Sequence, residues 1–222
     1  MANKKLREEE KKTAEEKIIG SVSNFFQKNK LIVIIAAAVV IVGLIVAMII
    51  VSTSTKSKYN DQIAVANLET RYAEILSSSE PDWTALIADL NANIKKGAYP
   101  SVKSAYLLGL VYYQMEDYAN AQSTFERAYN LNKDIYLASE ALLNAAACAD
   151  MQGDTAKALE LYNQVYNDYP ESGCAPKALF NVGRIYLQME NTQLAMRTFS
   201  QVSEYYPESE YGKLSKNLVS IL

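Results

Sequence analysis

One pattern recurs along this chain every 37 residues, and it constrains the fold more tightly than any other feature. Its first appearance is Gly109, Tyr112, Ala121, Phe125 and Ala128. Its second is Ala146, Ala149, Ala158, Tyr162, Val165 and Pro170, and its third is Gly183, Tyr186, Ala195, Phe199, Val202 and Pro207. Even the punctuation repeats, as Tyr169-Pro170-Glu171-Ser172 and Tyr206-Pro207-Glu208-Ser209. A fixed period of a few tens of residues is the signature of stacked copies of one supersecondary unit. Stacks of this kind present extended binding surfaces, so the period says more about how the chain works than about what it binds.

Each unit reads as a helical hairpin. The first helix offers a small residue (Gly109, Ala146, Gly183) where its partner crosses closest. A turn follows at Glu116-Asp117, Gly153-Asp154 and Glu190-Asn191. The second helix places Ala121, Ala158 or Ala195 at the crossing, with Phe125, Tyr162 or Phe199 filling the space one turn later. Small residues beside aromatics are the packing logic of close helix pairs. Pro170 and Pro207 stop the second helices, since proline cannot continue one. The units span approximately 102–132, 139–169 and 176–206.

Before them, an apolar stripe through Ile63, Leu68, Tyr72 and Ile75 predicts a helix from Tyr59. Ser77-Ser78-Ser79-Glu80-Pro81 ends it, and Asp82 is an N-cap for a second helix through Leu86, Leu90 and Ile94, closed by Gly97 and Pro100. This degenerate pair caps one end of the stack. Leu214, Leu218 and Ile221 predict a final helix covering the other. The fold class is therefore all-α, a helical-hairpin solenoid.

Leu31 to Val51 is a run of 21 residues drawn only from Leu, Ile, Val, Ala, Gly and Met. At about 1.5 Å per residue it matches the thickness of a bilayer core. Thirteen of the 21 are Ile or Val, which favour strands in water. In lipid only a helix satisfies such a segment's backbone. A buried core helix is the bland alternative, disfavoured by the lack of any polar face. A cleaved signal peptide is the other, disfavoured by the length of the core and of what precedes it. No Cys follows closely, so a lipoprotein anchor is excluded. The expected organisation is a basic, partly amphipathic cytoplasmic segment at 1–30 and a transmembrane helix at 31–51. A linker at 52–58 and an extracytoplasmic repeat domain at 59–222 follow.

Residues 1–30 hold eight Lys or Arg against five Asp or Glu, out of 22 and 25 in the whole chain. Lys28 and Lys30 stand at the entry to the apolar run, and Lys56 and Lys58 beyond its exit. The bias places the N-terminus in the cytoplasm. The remainder is net acidic, which argues against nucleic acid as a partner. There is no histidine, no Gly-rich phosphate loop and no Cys-x-x-Cys pair. Catalytic triads, His-containing zinc sites and the usual proton shuttle near neutral pH are thereby removed. The reading is of a non-enzyme with no cofactor and no metal. Cys148 and Cys174 are either a disulfide of an oxidising compartment or, on the simpler reading, a small buried filler and a turn residue.

The small-x-x-Tyr, Ala, Phe, Ala and Pro positions over 101–207 resemble the tetratricopeptide repeat (TPR), at 37 residues rather than the usual 34. The second unit departs at Ala149 and the first at Lys133, where the family favours Tyr and Pro. The resemblance implies a concave groove lined by first helices. In this chain the lining is Lys103, Tyr106, Leu110 and Tyr113, then Glu140, Leu143, Ala147 and Asp150, then Lys177, Phe180, Arg184 and Leu187. Some relatives clamp a C-terminal carboxylate. Here Asn144 and Lys177 match the later part of such a clamp, but Tyr106 and Leu110 occupy the first. The expected ligands are therefore internal segments of mixed polarity.

The whole layout, with Asn24-Phe25-Phe26-Gln27-Lys28-Asn29-Lys30 before one anchor, is similar to the YfgM-type ancillary subunits of the bacterial Sec translocon. That similarity implies a chaperone-like factor in the inner membrane with its TPR domain in the periplasm. Its partners would be the translocon or exported envelope proteins. The alternative is a scaffold for envelope assembly or cell-division complexes. Oligomeric state stays open.

Overall fold

The computed structural model describes residue 16, residues 18–94 and residues 98–222. Among the described residues the regular structure is entirely helical. The chain divides into two compact units, Met1–Asn60 and Asp61–Leu222.

In the first unit, residues 18–28 are helical and Asn29 makes a turn, with its side-chain amide donating to the Phe25 carbonyl at 3.0 Å. Helix α1 then runs Lys30–Leu76, 47 residues, across the boundary between the units. It is the one described helix long and apolar enough to cross a membrane, and none of its most apolar window is buried in protein. The polar stretch at 52–58, expected as a linker, continues the helix. Thr53 and Thr55 bond the carbonyls of Ile49 and Val51 at 2.9 and 2.8 Å, so their hydroxyls are satisfied without leaving helical geometry. The charged run at 3–17 lies almost wholly outside the described residues.

In the second unit, the end of α1 and α2 (Thr84–Ile94) form the expected degenerate pair. Val65 and Leu68 are buried, Tyr72 stacks on Trp83 at 5.5 Å, and Arg71 pairs with Asp89. Asp82 accepts from the Thr84 amide at 2.9 Å, one position earlier than a formal N-cap. Pro100 is a correction: it sits in the first turn of α3 (Ala98–Gln114) and does not end α2. Proline is tolerated there because a first-turn amide has no helical acceptor. Gly97 lies outside the described residues.

Three hairpins follow: α3 with α4 (Tyr118–Leu131), α5 (Tyr136–Met151) with α6 (Thr155–Asp168), and α7 (Ala175–Gln188) with α8 (Thr192–Tyr205). Helix α9 (Glu210–Val219) closes the chain. The turn inside each hairpin is built identically. Glu116, Gly153 and Glu190 take φ of 59, 77 and 57°. Asp117, Asp154 and Asn191 then accept from the amide three residues on, at 3.2, 3.0 and 3.1 Å. The positive φ reverses the chain, and the cap satisfies an orphan donor of the second helix.

The crossings hold as read. A Cβ added at Gly109 would lie 2.6 Å from the Phe125 ring, and one at Gly183 2.7 Å from Phe199. The core runs without a break from Leu68 and Trp83 through Phe125, Leu142 and Tyr162 to Ile185. Each hairpin buries its apolar face on the next, which is how a solenoid stands without a central core. Both cysteines are free: Cys148 is buried and Cys174 partly so.

Candidate protein-binding face

Helices α3, α5 and α7 are the first helices of the hairpins, and they carry every expected groove residue. Most of these are half-buried: Lys103, Tyr106, Leu110 and Tyr113 on α3, Glu140, Ala147 and Asp150 on α5, and Phe180, Arg184 and Leu187 on α7. Lys177 is exposed. Leu143, at 7% exposure, belongs to the core cluster.

The polar members pair with one another from unit to unit. Lys103 Nζ lies 2.8 Å from Glu69 Oε1 of α1. Asn144 Nδ2 donates to the Tyr106 hydroxyl at 3.0 Å. Arg184 pairs with Asp150 and donates through Nε to Asn181 Oδ1 at 3.1 Å. The rungs tie α1 to α3, α3 to α5 and α5 to α7. The Lys103 and Arg184 pairs are half-buried and charge-assisted, and such contacts hold a geometry better than exposed pairs do. Burial, then the nearby Glu140 carboxylate, pushes the Tyr106 phenol up to about 12. It therefore stays neutral and serves as a hydrogen-bonding group. Asn144, read from the sequence as a clamp remnant, is instead one rung of this ladder.

The aromatic members divide. Tyr106 leans on Phe125 with ring centroids 5.5 Å apart, and Tyr113 meets Tyr118 edge-on at 5.5 Å. Phe180 is held between Phe199 and Tyr211, each at 5.3 Å. Its ring joins α7 to both α8 and α9, so it is a keystone of the terminal packing. No sequence signal marked Tyr211 as its partner. The remaining half-buried members are Leu110, Tyr113, Ala147 and Leu187.

The tyrosines of the repeated Tyr-Pro-Glu-Ser segments do a job the sequence did not disclose. Tyr169 donates to the Lys133 carbonyl at 2.8 Å, and Tyr206 to the Pro170 carbonyl at 2.9 Å. Each fastens the end of one hairpin to the equivalent place in the hairpin before it.

Tetratricopeptide-repeat family models match residues 101–171 and residues 151–218. Over this span the chain is a tetratricopeptide-repeat protein, and this part is a protein–protein interaction module. Neither match is to a catalytic family. No curated protein matches the chain. Among solved structures it is similar to a tetratricopeptide repeat protein from Parabacteroides merdae, at 20% identity and TM-score 0.54, over 70% of this chain and 59% of that one. It is also similar to the TPR-like repeats of a putative kinesin light chain from Podospora anserina, at 12% identity and TM-score 0.53, over 70% of this chain and 84% of that one. PcrH, solved in complex with the chaperone binding region of PopD, aligns at 17% identity and TM-score 0.49, over 57% of this chain and 93% of that one. At these identities the likeness is one of fold.

Proposed function

We propose that this chain is a membrane-anchored adaptor that captures polypeptide segments on the face formed by α3, α5 and α7. Leu31–Val51 spans the inner membrane of a bacterium with the N-terminus in the cytoplasm, and the repeat domain stands in the periplasm. There it acts as a chaperone-like factor for exported or envelope proteins beside the Sec translocon. The observation that carries the reading is that half-buried Leu110, Tyr113, Ala147 and Leu187 stand on the same helices as the cross-unit polar rungs. Half-buried apolar and aromatic groups in a frame of satisfied polar ones are the make-up of a protein interface. The anchor reading rests on a long apolar helical window with no buried residue, which water would not tolerate.

The test is capture from detergent-solubilised membranes through a C-terminal tag, comparing the native chain with Leu187→Asp. Recovery of translocon components with many exported proteins, lost in the variant, is the expected result. A single stoichiometric envelope partner without the translocon would replace the chaperone reading by the scaffold one. Recovery unaffected by the variant would move the binding site off this face.

A further inference from the structure

Two slots of the same construction open beside the turns that join successive hairpins. The one between α4 and α5 has a volume of 630 Å³, and the one between α6 and α7 has 540 Å³. Their walls correspond position by position at the 37-residue period: Lys133 with Pro170, Asp134 with Glu171, Ser139 with Pro176, and Tyr169 with Tyr206. The tyrosine-to-carbonyl bonds described above, at 2.8 and 2.9 Å, brace both. Ser172 and Gly173 line both, so the slots are neighbours sharing one partition.

Their chemistry is specific. Tyr166, Tyr205 and Tyr206 surround Pro170 and Pro176 in the second slot, and Tyr205 is 53% exposed. Tyr136, 64% exposed, stands in the first. Exposed carboxylates occupy the same register in each, Asp134 and Glu171, with Glu140 beside the first. The cation in the lining, Lys133, has its Nζ 4.7 Å from the Tyr129 ring centroid. The Ser172 hydroxyl is buried with no hydrogen-bond partner among the described residues.

We propose that the paired slots dock a proline-rich segment bearing arginine or lysine, bound as a polyproline II helix. Flat aromatic and proline walls are the surface such helices use, because the ligand is preformed and loses little entropy. Asp134 and Glu171, one in each slot, are the carboxylates that the basic residues of the ligand meet. This surface shares only Glu140 with the face of the proposed function, and it stands or falls separately.

The test uses the full chain in a neutral detergent and fluorescence anisotropy with two labelled 12-residue probes. One repeats proline with arginine at every third position, and the other replaces each proline by glycine. The proline probe binds at least tenfold tighter. Tyr205→Ala and Glu171→Lys each weaken it at least fivefold, while Leu187→Asp leaves it unchanged. Failure to bind, equal binding of the two probes, or indifference to Glu171→Lys would overturn the proposal. If Tyr205→Ala lowers the thermal transition, the exposed Glu171→Lys decides alone.

Discussion

Tyr206 reaches back 36 residues to donate its hydroxyl to the Pro170 carbonyl at 2.9 Å, repeating the bond of Tyr169 to Lys133 at 2.8 Å. The repeated Tyr-Pro pair is thus both a stop and a clasp. Its proline ends a second helix, and its tyrosine fixes that helix to the carbonyl one unit earlier. In a stack where each unit meets only its neighbours, such bonds belong to the interface terms that make unfolding cooperative.

Removing one clasp gives the first prediction. Tyr206→Phe keeps the ring and loses the bond, which is worth about 1 kcal/mol. The expected result is a fall in Tm of about 2–4 °C for a chain of this size. Thermal unfolding followed by circular dichroism measures it, and an unchanged Tm would show that solvent replaces the bond at no cost.

The glycine crossings give the second. Gly109→Ala drives a methyl to 2.6 Å from the Phe125 ring, a distance real packing does not allow. Overpacking of this kind costs about 1–3 kcal/mol. Phe125→Leu in the same chain should return part of that loss, because it clears the space. Urea titration of the two single variants and the double variant reads the coupling. Simple additivity would contradict the contact.

The hairpin turns give the third. Glu116 and Glu190 hold φ of 59 and 57°, where a side chain is strained, whereas Gly153 holds 77° in the equivalent turn. Glu116→Gly should be neutral or stabilising, and Gly153→Val destabilising by about 1 kcal/mol or more. Denaturant midpoints for the pair settle the sign. A loss in Glu116→Gly would mean that its side chain contributes more than the strain removes.

The Tyr106 phenol and the Cys148 thiol give the fourth. Burial pushes Cys148 from 9.0 up to about 12, and burial with Glu140 pushes Tyr106 from 10.0 to about 12. In the unfolded chain these groups ionise first, so that state gains as protons leave. The stability they contribute is whole below about pH 9 and is lost as the pH rises towards 12. Cys148→Ala and Tyr106→Phe should flatten the alkaline fall in stability between those limits. Denaturation midpoints at several alkaline pH values check it, and an unaltered slope would assign the fall to other groups.

Much of this architecture was legible because it depends on short-range sequence. Gly109 before Phe125 and Gly183 before Phe199 announce a close crossing within one hairpin. Asp117, Asp154 and Asn191 announce the turn inside each hairpin, and the structure adds that each caps the second helix. Pro100 was misread because proline suits both the end of one helix and the first turn of the next, and only the register of α3 distinguishes them. The polar stretch at 52–58 is helical, which its composition does not disclose, because threonine can satisfy itself on a helix as well as in a loop.

The candidate face was legible as a set of positions and not as a set of partners. The period placed Tyr106, Asp150, Phe180 and Arg184 on first helices. It did not disclose that Tyr106 meets Asn144, that Arg184 meets Asp150, or that Phe180 is clasped by Phe199 and Tyr211. By itself, then, the sequence determined the units, their crossings, their turns and an apolar segment of membrane length, since these follow from neighbours a few turns apart. Tertiary structure alone decided which side chains of the first helices are spent on holding the stack and which are not. The polar contacts among them join residues 34–38 positions apart, and the rotation between stacked units, a property of packing and not of period, sets which of them come within reach.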